Sequence, residues 1–598
     1  MMMLRSWRTS FAPARGAVFA LLAGLVVLVG VLPGCNRDSN PNVLPVAVPV
    51  EAFRGPTWLR GTVGSMATLR NGEPLLVSGY ALAVNLENES GSSEVPAFIR
   101  GFLVNEMRKR RVPNPEQVLF DTSTAVVAVE GLIPAGAADG DRFDLMVTAI
   151  DRQTVSLEGG DVWSTQLSPG PLDASLRFIQ PAAEGGGAVF VDPSAGEVAE
   201  GEIDPRRQAL VVAGGRVTEE RVLELVLNQP SWQRSRLLAD RINERFPKAP
   251  RDRFETARPL TDVLVRLRVP SYWRSRPNVF LDQVMVLFTQ RSPGFDTSMT
   301  LSLAERLVRS PEDRDVVVSA WQALGRGILP ALRDVYEHEV AEVRLAALEA
   351  GAGLDDGRAA RLLTAMIDEA DDLTRLRIAS ALSLLPDNLE AARGLRRLLD
   401  DESELVRIAA YEAMAMSGDP VLDRIPVFGE RGLKMVIDQI PASRPMIYVT
   451  FARVPRLVFF GAPIGVEPDV LARAWNGRLM VRTVAGSPMS VFYQSRERGT
   501  RRLELRPNLT ELAYVLAHRP TNEQPEEGFD LSYGQTVDAI YELREAAGLD
   551  AAFRMRPSPL SELIESMRPQ QEAVGRPRTA ARGEGASGIL DEGRVAGR

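Results

Sequence analysis

The pattern of apolar and polar positions up to residue 291 alternates between short β-type runs and amphipathic helical segments. Runs of Val, Leu and Ile that end at Gly, Pro or Asn predict strands, whereas apolar residues three or four positions apart predict helices. The predicted strands are residues 75–86, 124–129, 142–150 and 223–228, and the predicted helices are residues 95–111 and 232–246. This alternation indicates a mixed β/α region at residues 51–291.

Leucine and alanine at helical spacing dominate residues 297–422. Within this segment the motif aliphatic-Arg-aliphatic-Ala occurs around Arg344, Arg377 and Arg407, at intervals of 33 and 30 residues. Acidic residues precede each copy, where they favour the positive end of a helix dipole. The motif resembles HEAT repeats, whose helix pairs stack because one pair cannot bury its apolar face alone. The alternative is a single amphipathic bundle in which the spacing is a coincidence.

β-type patterns return between residues 423 and 550. Strands are predicted at residues 446–451 and 457–461, a hairpin at residues 477–484 and 489–493, and a terminal helix at residues 533–548. Residues 551–598 are rich in Arg, Gly, Ala and Pro, and we expect them to be a disordered tail.

The first 35 residues have the pattern of an export signal. Arg5, Arg8 and Arg15 precede an apolar run at residues 17–32, which is shorter than the roughly 20 residues that span a bilayer. The run ends in Leu-Pro-Gly-Cys, which resembles a bacterial lipobox. That resemblance implies that residues 1–34 are a lipoprotein signal peptide, that Cys35 is acylated, and that residues 35–50 are a tether. The alternative is an ordinary signal peptide that contains a cysteine.

Composition argues against most kinds of chemistry. One cysteine in 598 residues excludes an intramolecular disulfide, and two histidines, His338 and His518, leave few zinc ligands or groups for acid–base catalysis. His338 lies in a charged segment that predicts a surface position, and His518 lies where a helix should end before Pro520. A net charge of −8 gives no sign of nucleic-acid binding. We therefore expect no enzyme activity, no cofactor and no metal site.

Motifs that could suggest catalysis or nucleotide binding have simpler structural interpretations. Glycosidase carboxylates must face each other across a cleft, whereas adjacent acids commonly cap helices. The adjacent acids are Asp355-Asp356, Asp371-Asp372 and Asp400-Asp401. The glycines at residues 159–160, 185–187 and 214–215 lack the wider spacing of a phosphate-binding loop that opens a helix.

Four segments of the first region follow one another along the chain: residues 77–86 (VSGYALAVNL), 128–150, 156–167 (SLEGGDVWSTQL) and 228–246. They resemble the segments VGYGLVVGL, ELPPFA with GQRIDVTVSSIG, SLRGGTLLLTPL, and NPDFTTARRIADAIN of the flagellar P-ring protein family. The resemblance implies a periplasmic structural protein that forms a homo-oligomeric ring around the flagellar rod. Residues 465–481 and the helix at 533–548 resemble the later sheet and terminal helix of that family, which implies that the helical repeats are an insertion.

The expected fold class is α+β multidomain. It combines P-ring-like mixed β/α domains at residues 51–291, a HEAT-like α-solenoid at residues 297–422, and a β-rich C-terminal domain with a terminal helix at residues 423–550. We expect a periplasmic location with a lipid anchor in the outer membrane.

Three functions are compatible with this organisation. The first is a P-ring-like structural component of the flagellar basal body that serves motility. The second is a membrane-anchored HEAT-repeat scaffold that binds another envelope protein. The third is an enzyme, a lyase or a cell-wall hydrolase, for which the sequence offers no nucleophile–base or metal constellation.

Overall fold

The structure, a computed structural model, describes part of the 598-residue chain. It covers residues 55–566 except 88–89, 93, 173–179, 195–203, 430–431, 452–453, 496–498, 522–524, 559, 561 and 565. All elements below belong to the compact unit that begins at Glu51. The predicted signal peptide, tether and most of the predicted tail lie outside the described residues.

The first region contains ten strands and five helices among its described residues. The helices are α1 (Val63–Met66), α2 (Ala97–Lys109), α3 (Pro115–Leu119), α4 (Trp232–Arg245) and α5 (Pro277–Met285). The strands are β1 (Ala67–Arg70), β2 (Leu75–Val84), β3 (Ala125–Ile133), β4 (Arg142–Ala149), β5 (Asp161–Pro169), β6 (Ala183–Ala188), β7 (Gln208–Val217), β8 (Leu223–Leu227), β9 (Ala257–Pro259) and β10 (Leu264–Leu267).

Six of these strands close into a barrel in the order β2-β3-β4-β7-β6-β5. Side chains alternate between the faces of a strand, so every second residue enters the barrel core, as Leu145 and Val147 of β4 do. The outer wall of the barrel is apolar at Leu82 and Val126, and α2 covers it with Ile99 and other buried side chains. The remaining strands form an antiparallel sheet in the order β1-β8-β10-β9, which shares a core with α4 and α5.

Most local predictions for this region are confirmed. The predicted helices at residues 95–111 and 232–246 are α2 and α4, and Ser231 caps α4 by accepting a hydrogen bond from the Arg234 N–H. The predicted strands correspond to β2, β3, β4 and β8. Strand β6 was not predicted, because its three consecutive glycines obscure the alternation of apolar side chains.

The second region consists of packed helices. They are α6 (Pro293–Arg309), α7 (Arg314–Leu324), α8 (Leu329–Val335), α9 (Ala341–Gly353), α10 (Gly357–Met366), α11 (Asp372–Leu382), α12 (Leu389–Leu398) and α13 (Glu404–Ser417). Helices α7, α9, α11 and α13 pack against one another in chain order, α6 packs on α8, and α10 packs on α12. Alanines such as Ala347, Ala379 and Ala410 are fully buried between them, which lets the helices approach closely.

The structure corrects the register of the arginine motif. Arg344, Arg375 and Arg407 are each the fourth residue of their helix, and each donates a hydrogen bond to a carbonyl of the preceding loop, at 2.7, 2.7 and 2.9 Å. Arg377, which the motif had singled out, instead forms an ion pair with Glu342 at 2.8 Å. The repeated position therefore has intervals of 31 and 32 residues. A guanidinium one turn into a helix can reach back to the loop, and the letter pattern alone does not show where each helix begins.

The principal elements among the described residues of the third region are nine strands and two helices. They are β11 (Asp423–Gly429), β12 (Gly432–Ile440), β13 (Met446–Thr450), β14 (Arg456–Phe460), β15 (Leu471–Ala474), β16 (Leu479–Arg482), β17 (Met489–Ser495), β18 (Gly499–Leu505), α14 (Leu509–Ala517), α15 (Tyr533–Glu545) and β19 (Ala552–Met555). A mixed sheet has the order β11-β12-β14-β13-β19, and an antiparallel sheet has the order β15-β16-β17-β18.

The mixed sheet is buried on both faces. Tyr448 and Phe460 point to the helical region, whereas Ile447 and Phe459 point to a second core that includes α14, α15 and the antiparallel sheet. We call α14, α15 and the antiparallel sheet the C-terminal layer. The second core also includes Phe190 and other side chains of the first region, so the C-terminal layer packs against the barrel.

The structure of the third region confirms its predicted strands and terminal helix and corrects one boundary. The predicted hairpin is the antiparallel pair β16 and β17, and the predicted terminal helix is α15, which begins with a capping box between Ser532 and Gln535. The predicted tail does not begin at residue 551, because β19 pairs in parallel with β13 and Phe553 is buried. With several sheets and many helices among the described residues, the fold class is α+β, as predicted.

Candidate functional site

The site residue predicted from the sequence, Cys35, lies outside the described residues. Its acylation therefore stays a prediction. Within the described residues, no group of three or more His, Cys, Asp or Glu side chains is arranged to hold a metal ion. No helix in the same residues is both long and apolar enough to cross a bilayer.

The two histidines belong to different regions and have structural surroundings. His338 lies in the loop before α9, where its Nδ1 accepts a hydrogen bond from the backbone N–H of Val340 at 3.1 Å. His518 follows α14, so the predicted end of a helix at this residue is confirmed. Its ring is buried and stacks on Tyr514, with 4.8 Å between the ring centroids, and its Nε2 lies 3.9 Å from the Glu526 carboxylate. Each imidazole is held by local packing.

The adjacent acids mostly cap helices, as the sequence predicted. Asp356 accepts the Arg358 N–H at the start of α10, and Asp371 accepts the Thr374 N–H at the start of α11. The third pair works differently: Asp400 accepts the Ser443 N–H at 2.8 Å and thereby ties the helical region to the loop before β13. These carboxylates have protein partners at helix starts and loops.

The glycines in the first region allow close packing. Gly159 has a φ of +71°, and a Cβ at this position would meet the Glu87 side chain. A Cβ on Gly215 would collide with the Phe143 ring in the barrel. Neither glycine opens a helix, so the arrangement differs from a phosphate-binding loop.

The clearest constellation of charged groups lies where the barrel meets the C-terminal layer. Glu87 follows β2 and is 5% exposed. Its carboxylate forms an ion pair with Arg478, between β15 and β16, and accepts a hydrogen bond from Gln535 Nε2 of α15 at 3.2 Å. A buried charge is tolerated when it is paired and hydrogen-bonded, and loss of one partner is then strongly destabilising. Glu87 therefore fixes the C-terminal layer to the barrel.

A second acid, Asp538 of α15, lies at the same contact. The indole Nε1 of Trp475 donates a hydrogen bond to its carboxylate at 2.6 Å. Burial, followed by repulsion from Glu158 and Glu542, raises the pKa of Asp538 to about 7. Burial also raises the pKa values of Glu158 and Glu542. Three carboxyl groups with raised pKa values thus come together from the barrel side and from α15.

Aromatic packing completes this contact. Phe190 of the first region lies between Phe451 and Tyr533, with ring centroids 6.1 and 5.6 Å away. The Tyr533 hydroxyl donates to the backbone carbonyl of Arg456 at 2.9 Å. Sequence reasoning missed this contact because its members are separated by several hundred residues and carry no shared local pattern.

A comparable joint connects the helical region to the mixed sheet. Tyr411 of α13 donates its hydroxyl to Asp438 of β12 at 2.6 Å, and Arg424 Nε donates to the same carboxylate at 3.2 Å. Asp438 has no exposed surface. Tyr448 of β13 donates to Glu412 of α13 at 2.9 Å. These buried polar pairs fix α13 on the sheet, and their geometry is that of a structural joint.

Comparison with known proteins concerns the first region. A family model described as "Flagellar P-ring protein" matches residues 63–292. The flagellar P-ring protein of Aquifex aeolicus (strain VF5) is 25% identical over 217 residues, which cover 35% of this chain and 56% of that relative. The flagellar P-ring protein of Alteromonas mediterranea (strain DSM 17117 / CIP 110805 / LMG 28347 / Deep ecotype) is 28% identical over 209 residues, or 32% of this chain and 52% of that relative.

The chain thus spans about half the length of the curated relatives it matches. The matched residues comprise the barrel, the antiparallel sheet and α4, which is the region where the sequence carried the resemblance. That resemblance is confirmed: residues 63–292 are similar to flagellar P-ring proteins.

Proposed function

We propose that the P-ring-like region, residues 63–292, gives this chain a structural role as a ring-forming component around a rod in the periplasm. The observation that carries the proposal is the family match over this region, in which the barrel and the antiparallel sheet form separate cores. The proposed role is non-catalytic and serves motility. The structural contacts of the histidines and acids described above support a non-catalytic role.

The test of this role is the fate of the chain in its native host. We expect an epitope-tagged chain to co-purify with flagellar basal bodies, and its deletion to reduce motility. A chain that stays monomeric in membrane extracts and is absent from basal bodies would refute the proposal.

We propose further that the helical segment, residues 297–422, is a HEAT-like module inserted into the ring fold. The C-terminal layer follows this segment in sequence but packs against the barrel that precedes it, through Glu87, Arg478 and Gln535. This return supports the idea that residues 465–548 complete the P-ring-like part. The intervals of 31 and 32 residues between equivalent arginines support the repeat.

The membrane anchor is the third element of the proposal. Cys35 would carry the lipid, and the anchor would lie in the outer membrane. Mass spectrometry of the mature N-terminus tests the acylation, and membrane fractionation of the wild type tests which membrane holds it. An unmodified thiol would refute the anchor while leaving the ring proposal standing.

A second candidate function is a scaffold whose helical surface binds another envelope protein. It is favoured by two exposed leucines at the second position of successive equivalent helices, Leu373 in α11 (59% exposed) and Leu405 in α13 (63% exposed). Crosslinking of the full chain in cells should give a defined heteromeric product that the double substitution Leu373→Ser/Leu405→Ser removes. Crosslinks that do not depend on these leucines would argue against this candidate.

A further inference from the structure

One helix of the first region presents an unusual surface to solvent. Helix α2 packs on β2 and α3 and buries Ile99, Leu103 and Met107 against the outer wall of the barrel. Its opposite side, here called the α2 outer face, consists of Phe98, Gly101, Phe102, Asn105, Arg108 and Lys109.

The N-terminal half of the α2 outer face is apolar. Phe98 and Phe102 are 44% and 37% exposed, and a spacing of four residues puts them side by side on the helix. Between them, a Cβ on Gly101 would meet no atom within 4 Å, so this part of the surface is open. Single exposed apolar residues are ordinary, whereas these two adjacent phenylalanines form a small apolar patch on one face.

The C-terminal half of the α2 outer face is basic. The side chains of Arg108 and Lys109 are 66% and 64% exposed. Residues 94–116 contain five basic and three acidic side chains and so carry a net charge of +2, in a chain whose net charge is −8. Two acids neutralise part of the positive charge: Glu106 forms an ion pair with Lys109 at 2.6 Å, and Glu116 lies 3.7 Å from Arg108.

We propose that the α2 outer face contacts an anionic lipid surface. Exposed phenylalanines beside basic side chains are the features with which interfacial helices insert between lipid headgroups and attract anionic lipids. The local net charge of +2 over residues 94–116 favours an anionic occupant, and a lipid surface with anionic headgroups is one. The proposal goes beyond ring formation and does not depend on it. It assigns α2 the task of orienting the barrel against a membrane.

Footprinting of exposed aromatic rings tests the proposal, and it uses the full chain with Cys35→Ser, which cannot carry the proposed lipid anchor. Hydroxyl-radical labelling is measured with vesicles containing phosphatidylglycerol, with phosphatidylcholine vesicles, and without lipid. We expect phosphatidylglycerol vesicles to lower the labelling of Phe98 and Phe102 at least about threefold, because rings in the headgroup region are shielded from solvent. Phe254 and Phe428, which are 42% and 44% exposed elsewhere, are internal controls and should not change.

A charge variant with a matched control separates the lipid from other sources of protection. Arg108→Gln/Lys109→Gln should weaken binding to these vesicles by about five- to 25-fold, since each basic residue near an anionic surface adds roughly 1 kcal/mol. Arg309→Gln/Arg393→Gln removes two residues of similar exposure, 68% and 74%, from the helical region and should leave binding unchanged.

Three results would overturn the proposal. Equal labelling with and without phosphatidylglycerol vesicles would exclude a lipid contact. Protection that appears without lipid and grows with protein concentration would assign the α2 outer face to a second copy of the chain. Equal loss of binding in both charge variants would show that net charge, and not α2, drives adsorption. Failure of the chain to enter basal bodies would affect the ring proposal alone.

Discussion

The partly buried acid Asp538 should make the contact between the barrel and the C-terminal layer dependent on pH. Its pKa is about 7 in the folded chain, against an ordinary value of 3.8. A carboxyl group with a raised pKa binds its proton more tightly when folded. Its contribution to stability is therefore fully present below the unfolded pKa and is lost as the pH rises through the folded pKa.

The magnitude follows from the shift. At about 1.36 kcal/mol for each pH unit, the loss between pH 3.8 and pH 7 totals roughly 4 kcal/mol, of which about 2.7 kcal/mol falls between pH 5 and pH 7. Asp538→Asn keeps an oxygen that can accept the hydrogen bond from Trp475 but cannot ionise. The stability of the variant relative to the wild type should therefore rise by about 2–3 kcal/mol between pH 5 and pH 8.

The assay is urea unfolding at half-unit pH steps, combined with hydrogen exchange of the α15 amides to localise the effect. Glu545→Gln is the control on the same helix, because its side chain is 51% exposed and paired with Arg544. A difference between the Asn variant and the wild type that stays constant from pH 5 to pH 8 would refute the reasoning. An equal pH trend in the control would do so as well.

Three further predictions concern other joints of the molecule. Arg375→Met should lower the free energy of unfolding by about 1–3 kcal/mol because the guanidinium caps a loop carbonyl, whereas Arg377→Met should lower it by less than about 1 kcal/mol; equal urea midpoints for the two variants would contradict the corrected register. Tyr411→Phe should lower it by about 1–3 kcal/mol because the fully buried carboxyl group of Asp438 loses one hydrogen-bond donor, and an unchanged thermal midpoint would show that this hydroxyl contributes little. Cys35→Ser should release the exported chain from the membrane pellet, as followed by immunoblotting of membrane and soluble fractions, and full retention would show that another contact holds it.

Local elements could be predicted wherever their signals are local. Helix α4 has a serine cap and α15 has a capping box, and both begin within a residue of the predicted position. The hairpin of β16 and β17 could be predicted because Gly486 marks the turn between two apolar runs. In the structure this glycine has a φ of +73°. These features depend on a few neighbouring residues, so a single sequence is sufficient to find them.

Contacts between distant segments could not be predicted. Glu87 meets side chains about 400 residues later, and no pattern near it indicates a partner. Strand β19 has four residues and depends on β13 for its conformation, so its sequence looked like the start of a tail. The raised pKa of Asp538 is invisible in the sequence because it arises from burial and from an acid on the barrel side.

The central claim is that the P-ring-like region builds a ring around a rod. Electron cryomicroscopy of basal bodies isolated from cells that express the tagged chain tests it most directly. The account predicts a closed ring around the rod into which the barrel of residues 63–292 can be fitted in every subunit. Basal bodies whose ring density cannot hold this barrel, together with a tagged chain found only as monomers in the membrane fraction, would contradict it.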